Sequence, residues 1–81
     1  MANDEISFDI VRNLGEIGTS GKGWKREVNI VSWNSRKPKI DIRDWDHTHE
    51  HMGKGLTLTK DEAKGLKALL DSLDLESLGL D

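Results

Sequence analysis

A strict alternation of polar and aliphatic side chains runs through KIDIRDW at residues 39–45 and returns in KGLTL at residues 54–58. An alternation with a period of two is typical of a half-buried β-strand. The period then changes to that of a helix, because Thr59 and Glu62 have the spacing of a capping box and leucines recur on one face after them. Two strands followed by a helix are therefore the centre of the predicted fold.

Further strands precede this unit. Residues 24–33 alternate, with Val28 and Ile30 on one face, and NSRKP at residues 34–38 has the composition of a turn, so residues 24–45 are predicted to form an antiparallel hairpin. EISFDIV at residues 5–11 alternates as well. Residues 14–20 alternate weakly, and their glycines are typical of a bent edge strand or a turn. The curved antiparallel sheet is predicted to have four strands, or five if residues 14–20 form their own.

We predict one α+β domain over residues 1–81, with the sheet at 5–58, the helix at 60–73 and an acidic tail with leucines at 74–81. Eighty-one residues, 35% of them hydrophobic, support one small core. The absence of cysteine excludes a disulfide framework, a thiolate zinc site and a cysteine nucleophile. The N-terminus is polar and acidic, and no apolar run has the length of a membrane span. We expect a cytoplasmic protein without membrane contact.

The charge is divided along the chain. The overall net charge is -3, but residues 21–60 hold nine basic and five acidic side chains, a net +4, between ends of net -3 and -4. The whole-chain value argues against a nucleic-acid partner, whereas this segregation favours a basic surface in the middle of the chain. Function is therefore expected to lie between residues 21 and 60.

Three tryptophans, Trp24, Trp33 and Trp45, lie in or next to the predicted strands. Strand parity places Trp33 and Trp45 on the faces opposite the aliphatic side chains of their strands, and Trp45 shares its face with Lys39 and Arg43. A sheet face that combines indole rings with cations suits single-stranded nucleic acid, because bases stack on the rings and cations follow the phosphates. The alternative, that the indoles close a second small core or a dimer contact, stays open.

Basic residues cluster around these tryptophans, although such charges often form only a solvated face. ATP chemistry is not supported, because no glycine-rich loop has the spacing of a nucleotide-binding motif. The predicted nucleic-acid-binding residues are Trp24, Lys25, Arg26, Trp33, Arg36, Lys37, Lys39, Arg43, Trp45 and Lys54.

The segment HTHEH at residues 47–51 is the one candidate metal site. On an extended segment its three imidazoles would share a side, and three nitrogen ligands are a known zinc arrangement. The segment lacks the helical His-Glu-x-x-His frame of zinc enzymes. We therefore expect no metal, no other cofactor and no catalytic activity.

The helix carries a leucine stripe, predicted to be a dimer interface. One helix covers one face of a sheet, and further leucines follow the stripe in the tail, so the monomer has more apolar surface than it can bury. Antiparallel packing of two helices about a two-fold axis would cover it. The predicted interface residues are Leu66, Leu69, Leu70 and Leu73.

The run IDIRDW at residues 40–45, the polar loop after it, and KGLTLTKDE at residues 54–62 leading into the helix resemble the C-terminal domain of the positive cofactor 4 family of transcriptional coactivators. Size and opening are most similar to its short bacterial members, the YdbC-type proteins. The resemblance implies a four-stranded sheet and one helix, dimerisation through the helices, and binding of single-stranded DNA with little sequence preference. By position, it implies phosphate contacts from Arg43 and Lys54 and base stacking on Trp33.

The predicted function is thus non-catalytic binding of single-stranded DNA by a homodimer, in transcription, replication or repair. RNA stays open as a ligand, because a stacking platform accepts both and discrimination depends on contacts to the 2′-hydroxyl. The alternative is a protein-interaction dimer that uses the tryptophan face.

Overall fold

The structure is a computed structural model that describes residues 6–81. Four strands, β1 (Phe8–Thr19), β2 (Lys25–Trp33), β3 (Lys39–Trp45) and β4 (Met52–Leu58), form one antiparallel sheet in the order β1-β2-β3-β4. The helix α1 (Lys60–Asp71) and a short 3-10 turn (Leu75–Ser77) follow. The predicted α+β class with a four-stranded sheet is confirmed. The predicted start of the first strand, Glu5, lies outside the described residues.

Residues 14–19 continue β1, which ends before Ser20, so no fifth strand forms. The register of β1 against β2 shifts three times, and the skipped residues are Val11, Leu14 and Ile17. Each shift adds one residue to β1, which bends the strand and increases its twist. The extra residues explain the weak alternation in this part of the sequence, because every bulge changes the face on which the next side chain lies.

The sheet is strongly curled. Trp45 pairs with Lys25 at one end of the β2–β3 ladder, whereas Trp33 lies eight residues further along β2, a separation of about 26 Å in a flat strand. Yet both indoles pack on Phe8, with ring centroids 5.8 Å (Trp33) and 5.2 Å (Trp45) from its ring. The face that carries the three rings must therefore be on the inside of the curl.

We call this side the inner face and the opposite side the outer face. The fully buried side chains lie on the inner face, whereas the aliphatic residues of the outer face are only half-buried. The curl of the sheet encloses the inner face and leaves the outer face more open. The inner face carries Phe8, Glu27, Asn29, Val31, Trp33, Asp41, Arg43 and Trp45, and the outer face carries Val28, Ile30, Ile40, Ile42 and Leu58.

The helix begins with the predicted capping box. Thr59 accepts a hydrogen bond from the backbone N–H of Glu62, whose carboxylate accepts one from the backbone N–H of Thr59. The helix ends at Asp71, two residues before its predicted end, and none of its residues is buried. It lies against the outer face along an apolar groove of about 640 Å³. Among residues 6–81, no helix is both long and apolar enough to cross a membrane.

Candidate nucleic-acid interface

The inner face holds an aromatic cluster of Phe8, Trp33 and Trp45. Trp33 and Trp45 lie on the predicted face, but the side chain of Trp45 is fully buried, whereas Trp33 is partly exposed. Trp45 is enclosed because Phe8 covers it from one side and the imidazole of His49 lies 5.4 Å from it on another. The expectation of an accessible ring at Trp45 is therefore corrected: its indole fills the core, and Trp33 and Phe8 are the partly exposed rings of the cluster.

The guanidinium of Arg43 is held inside the protein. It donates to both carboxylate oxygens of Asp41, over 2.7 and 2.8 Å, and to the carbonyl of Gly53 over 3.3 Å. Its Cζ lies 4.8 Å from the ring centroid of Trp33, a cation–π contact. Only 14% of the Arg43 side chain is exposed, and Asp41 is fully buried. Most of the donor capacity of Arg43 is thus directed toward protein groups.

The strand β4 leaves room for this side chain. A Cβ atom at Gly55 would overlap the Cβ and Nε atoms of Arg43, so only glycine fits opposite the arginine. The neighbouring Lys54 is exposed, at the place where the register of β3 and β4 shifts. The glycine at position 55 was therefore one signal in the sequence that the Arg43 side chain packs closely against β4.

The other predicted cations divide into two groups. Arg26 forms two hydrogen bonds with Asp44, over 2.9 and 3.3 Å, and these bonds, together with the charge of Asp44, raise the pKa of Arg26 above its ordinary value. The predicted Trp24 is half-buried, and Lys22, a cation outside the predicted set, lies over its ring with the Nζ atom 4.7 Å from the centroid. The rest are exposed and form no ion pair with any residue of 6–81: Lys25, Arg36, Lys37, Lys39 and Lys54.

The histidine segment forms a compact loop in which the imidazoles have separate partners. His49 has a φ of 60° and directs its Nε2 atom to the carboxylate of Glu27, 2.9 and 3.0 Å from the two oxygens. His51 binds Asp46 through Nδ1 at 2.8 Å. The expectation of three imidazoles on one side is therefore wrong. Residues 6–81 contain no group of three or more side chains suited to holding a metal ion.

Asp46 is the centre of this loop. Its carboxylate accepts hydrogen bonds from the backbone N–H groups of Glu50 and His51, from the Thr48 hydroxyl and from the His51 ring. Partial desolvation opposes ionisation of Asp46, but the hydrogen bonds from His51 and Thr48 together with the charge of His51 prevail and hold its pKa well below the usual range. The loop that covers Trp45 thus depends on an ionised Asp46.

A polar network on the inner face was missed in the sequence. Asn13 donates to Asn29 over 2.7 Å, Asn29 donates to Glu27 over 3.1 Å, and Glu27 also receives His49. Glu27 and Asn29 are buried. The sequence contained a signal for this network, because Glu27 and Asn29 alternate with Trp33 along β2 and share its face. A polar residue buried next to an aromatic ring needs a hydrogen-bond partner.

Residues 20–69 match the sequence profile of the family described as Transcriptional Coactivator p15 (PC4). The match includes β2, β3, β4 and most of α1, more than half of the chain. This chain belongs to the PC4 family. An uncharacterized protein of Treponema pallidum (strain Nichols) is 43% identical over 76 residues, which cover 94% of this chain and 89% of that relative.

The PC4-family segment contains eleven of the twelve Lys and Arg residues, all except Arg12. Membership of the family indicates binding of single-stranded DNA and a coactivator-like role. The strand β1 precedes the matched segment, yet it supplies Phe8, which packs on both inner tryptophans. In this PC4-family member, the aromatic cluster thus depends on a residue outside the matched region.

Proposed function

We propose that this protein binds single-stranded DNA without catalysing a reaction, as a homodimer and with little sequence preference overall. Bases would stack on the accessible ring of Trp33, and exposed lysines and arginines around the inner face would contact phosphates. Affinity would then come mainly from counterion release and stacking. A stacking surface of this kind also accepts RNA, because discrimination between RNA and DNA depends on contacts to the 2′-hydroxyl.

The observation that carries the proposal is the arrangement of cations around the aromatic cluster. Lys25 pairs with Trp45 across β2 and β3, and Lys39 follows the hairpin turn that begins after Trp33. Both lysines are exposed and on the same face as the rings. Unpaired cations next to an accessible indole match the requirements of a nucleic-acid strand.

Arg43 and Trp45 have different parts in this proposal from the ones first predicted. Arg43 is paired with Asp41 and lies over the ring of Trp33. It would therefore orient the stacking ring and place a positive charge next to it. Trp45 is buried and would stabilise the inner face by packing, without contacting the nucleic acid. Direct phosphate contacts would come from Lys25, Lys39 and Lys54.

The dimer part of the proposal rests on the outer face. Leu66 and Leu70 line the apolar groove, yet they are 37% and 46% exposed, and Leu69 is 59% exposed. A contiguous apolar surface of this kind marks an interaction site. A second copy is the occupant we propose, because two such helices packed about a two-fold axis would cover both surfaces. The alternative of a protein-interaction dimer through the tryptophan face loses support, since the open apolar surface is on the opposite side.

The test is a tryptophan fluorescence titration with oligo-dT, its duplex and an RNA equivalent at two salt concentrations. Single strands should quench the emission, and log affinity should fall with log salt by about 0.7 for each phosphate contact. A protein-binding surface would give no quenching by any of the three. Quenching by duplex alone would contradict the single-strand proposal.

A further inference from the structure

The inner face contains a pocket of about 380 Å³ beside the aromatic cluster. Its floor and walls are formed by Ile10, Asn13, Glu16, Glu27, Asn29 and His49. Ile10 is the one aliphatic side chain in this lining, and all the others are polar. A site with one apolar surface and several polar groups is suited to a flat heterocycle that carries hydrogen-bonding groups on its edge.

Three of the four N–H donors of the two amides have partners inside the protein. The Asn13 amide donates to Asn29 over 2.7 Å and to Glu27 over 3.4 Å, and the Asn29 amide donates to Glu27 over 3.1 Å. The amide orientations are fixed by this order, because turning Asn29 over would direct its carbonyl oxygen at the carboxylate of Glu27. These hydrogen bonds end on the carboxylate of Glu27, which is buried and also forms a hydrogen bond with His49 Nε2.

The lining also presents acceptors toward the pocket. Within residues 6–81, the carboxylate of Glu16 forms no side-chain hydrogen bond, and the Oδ1 atom of Asn13 accepts none. Glu16 is exposed and pairs directly with Glu27 across β1 and β2, so both carboxylates lie on one face. An acceptor-rich pocket repels phosphate and selects a ligand that presents N–H groups.

We propose that this pocket binds a guanine base of the single strand, an inference that rests on the proposed function. The Watson–Crick edge of guanine presents N1–H and N2–H₂ side by side, and one carboxylate accepts both in a bidentate pair. Glu16 accepts these two hydrogen bonds, Asn13 Oδ1 supplements them, and Glu27 is a positioning residue that fixes the amides.

The other bases fit less well. Adenine and cytosine offer one amino group next to a ring acceptor. Thymine and uracil offer one N–H between two carbonyl oxygens, which would face the carboxylate. The protein therefore reads one position of an otherwise unselected strand, in the way that base edges are read in splayed single strands.

The test compares single strands of about 12 nucleotides, all dT or with one central base replaced by dG, inosine, dA or dC, by fluorescence anisotropy at one salt concentration. The dG strand should bind about tenfold more tightly than all-dT. Inosine, which lacks the N2 amino group, should lose most of that gain. Equal affinity for dG and dT strands would overturn the inference and leave the proposed function intact. Failure to bind any strand would overturn both.

Two variants complete the experiment. Glu16→Gln should bring the dG-to-dT affinity ratio close to one, because the amide cannot accept both N–H groups. Glu50→Gln removes the same charge from an exposed position outside the pocket and should leave the ratio unchanged. Loss of a negative charge raises affinity for every strand alike, so the ratio reports base recognition alone. A Glu16→Gln variant that is folded by circular dichroism and keeps the full ratio would refute the assignment.

Discussion

The guanidinium of Arg43 binds both carboxylate oxygens of Asp41, at 2.7 and 2.8 Å, on the inside of the curled sheet. Asp41 also accepts the hydroxyl hydrogen of Thr57 over 2.9 Å. Asp41 and Arg43 both lie on β3, and Thr57 lies opposite Asp41 on β4, so these contacts connect the two strands. Because the carboxylate is fully buried, these partners compensate its charge in place of water. The consequence is that Arg43 stabilises the sheet before it contacts any ligand.

Arg43→Ala should lower the free energy of unfolding by about 3 kcal/mol, because it leaves a buried carboxylate without its counter-charge. Urea denaturation followed by circular dichroism measures this change. In the double variant Arg43→Ala with Asp41→Asn, much of the loss should be recovered, since no buried charge is left unpaired. If Arg43→Ala is as stable as the wild type and loses only DNA affinity, Arg43 acts as a free phosphate ligand instead.

Trp33→Ala should weaken oligo-dT binding by about 1 to 3 kcal/mol, because it removes the accessible stacking ring. Trp33→Phe is the matched control, since it keeps a ring in contact with Phe8 and Arg43 and should retain most of the affinity. Affinities are compared by anisotropy, and thermal melts confirm that both variants are folded. Wild-type affinity in a folded Trp33→Ala would assign this ring to packing alone.

Lys54→Ala should reduce affinity for all single strands alike and decrease the salt slope by about 0.7, which corresponds to one lost phosphate contact. The control is Lys67→Ala on the helix, where the ammonium lies 3.7 Å from Asp71 and away from the inner face. Titrations at several salt concentrations give both slopes. Equal slopes for the two variants would remove Lys54 from the interface.

The fold was largely predictable, but the location of the core was not. KIDIRDW gave β3 with its exact limits, and the capping box gave the start of α1, because both depend on local periodicity. Alternation identifies two faces of a strand without indicating which one is enclosed. The enclosed face depends on how the sheet curls, and the three bulges that bend β1 leave no pattern in the sequence beyond an interrupted alternation.

The candidate site was predictable in composition and less so in geometry. The tryptophans and cations could be recognised from parity, whereas the burial of Trp45 depends on Phe8 and on a loop that places His49 over the ring. His49 adopts a left-handed backbone conformation, with a φ of 60°, which the HTHEH pattern does not predict. Contacts between residues distant in sequence are what the linear pattern omits.

Acid should destabilise the protein partly through Asp46. Its pKa is depressed in the folded state, so its contribution to stability is present above the unfolded pKa near 4 and is lost as the pH falls toward the lower folded value. Asp46→Asn should therefore lower the melting temperature at pH 7, and the difference from the wild type should shrink below about pH 4. Thermal melts from pH 7 to pH 2 measure it. A difference that is independent of pH would show that the amide replaces the carboxylate fully.

The dimer prediction depends on the uncovered leucines of the helix. No residue of α1 is buried in the monomer, and Leu70 lines the apolar groove. Burial of such side chains between two copies is favourable by about 25 cal/mol for each Å², and a lysine in the centre of that contact would introduce an unpaired charge. Leu70→Lys should therefore separate the copies, whereas Ile6→Lys, at a 63% exposed position before β1, makes the same chemical change away from the helix.

Sedimentation equilibrium in the micromolar range should give twice 9.1 kDa for the wild type and for Ile6→Lys, and the monomer mass for Leu70→Lys. The separated variant should also lose affinity for long oligonucleotides more than for short ones, because two linked sites engage a long strand at an effective concentration in the millimolar range. The comparison of long and short strands is decisive, since a lysine added near DNA would raise both affinities together. A wild-type protein that sediments at 9.1 kDa and binds long strands with full affinity would refute the dimer.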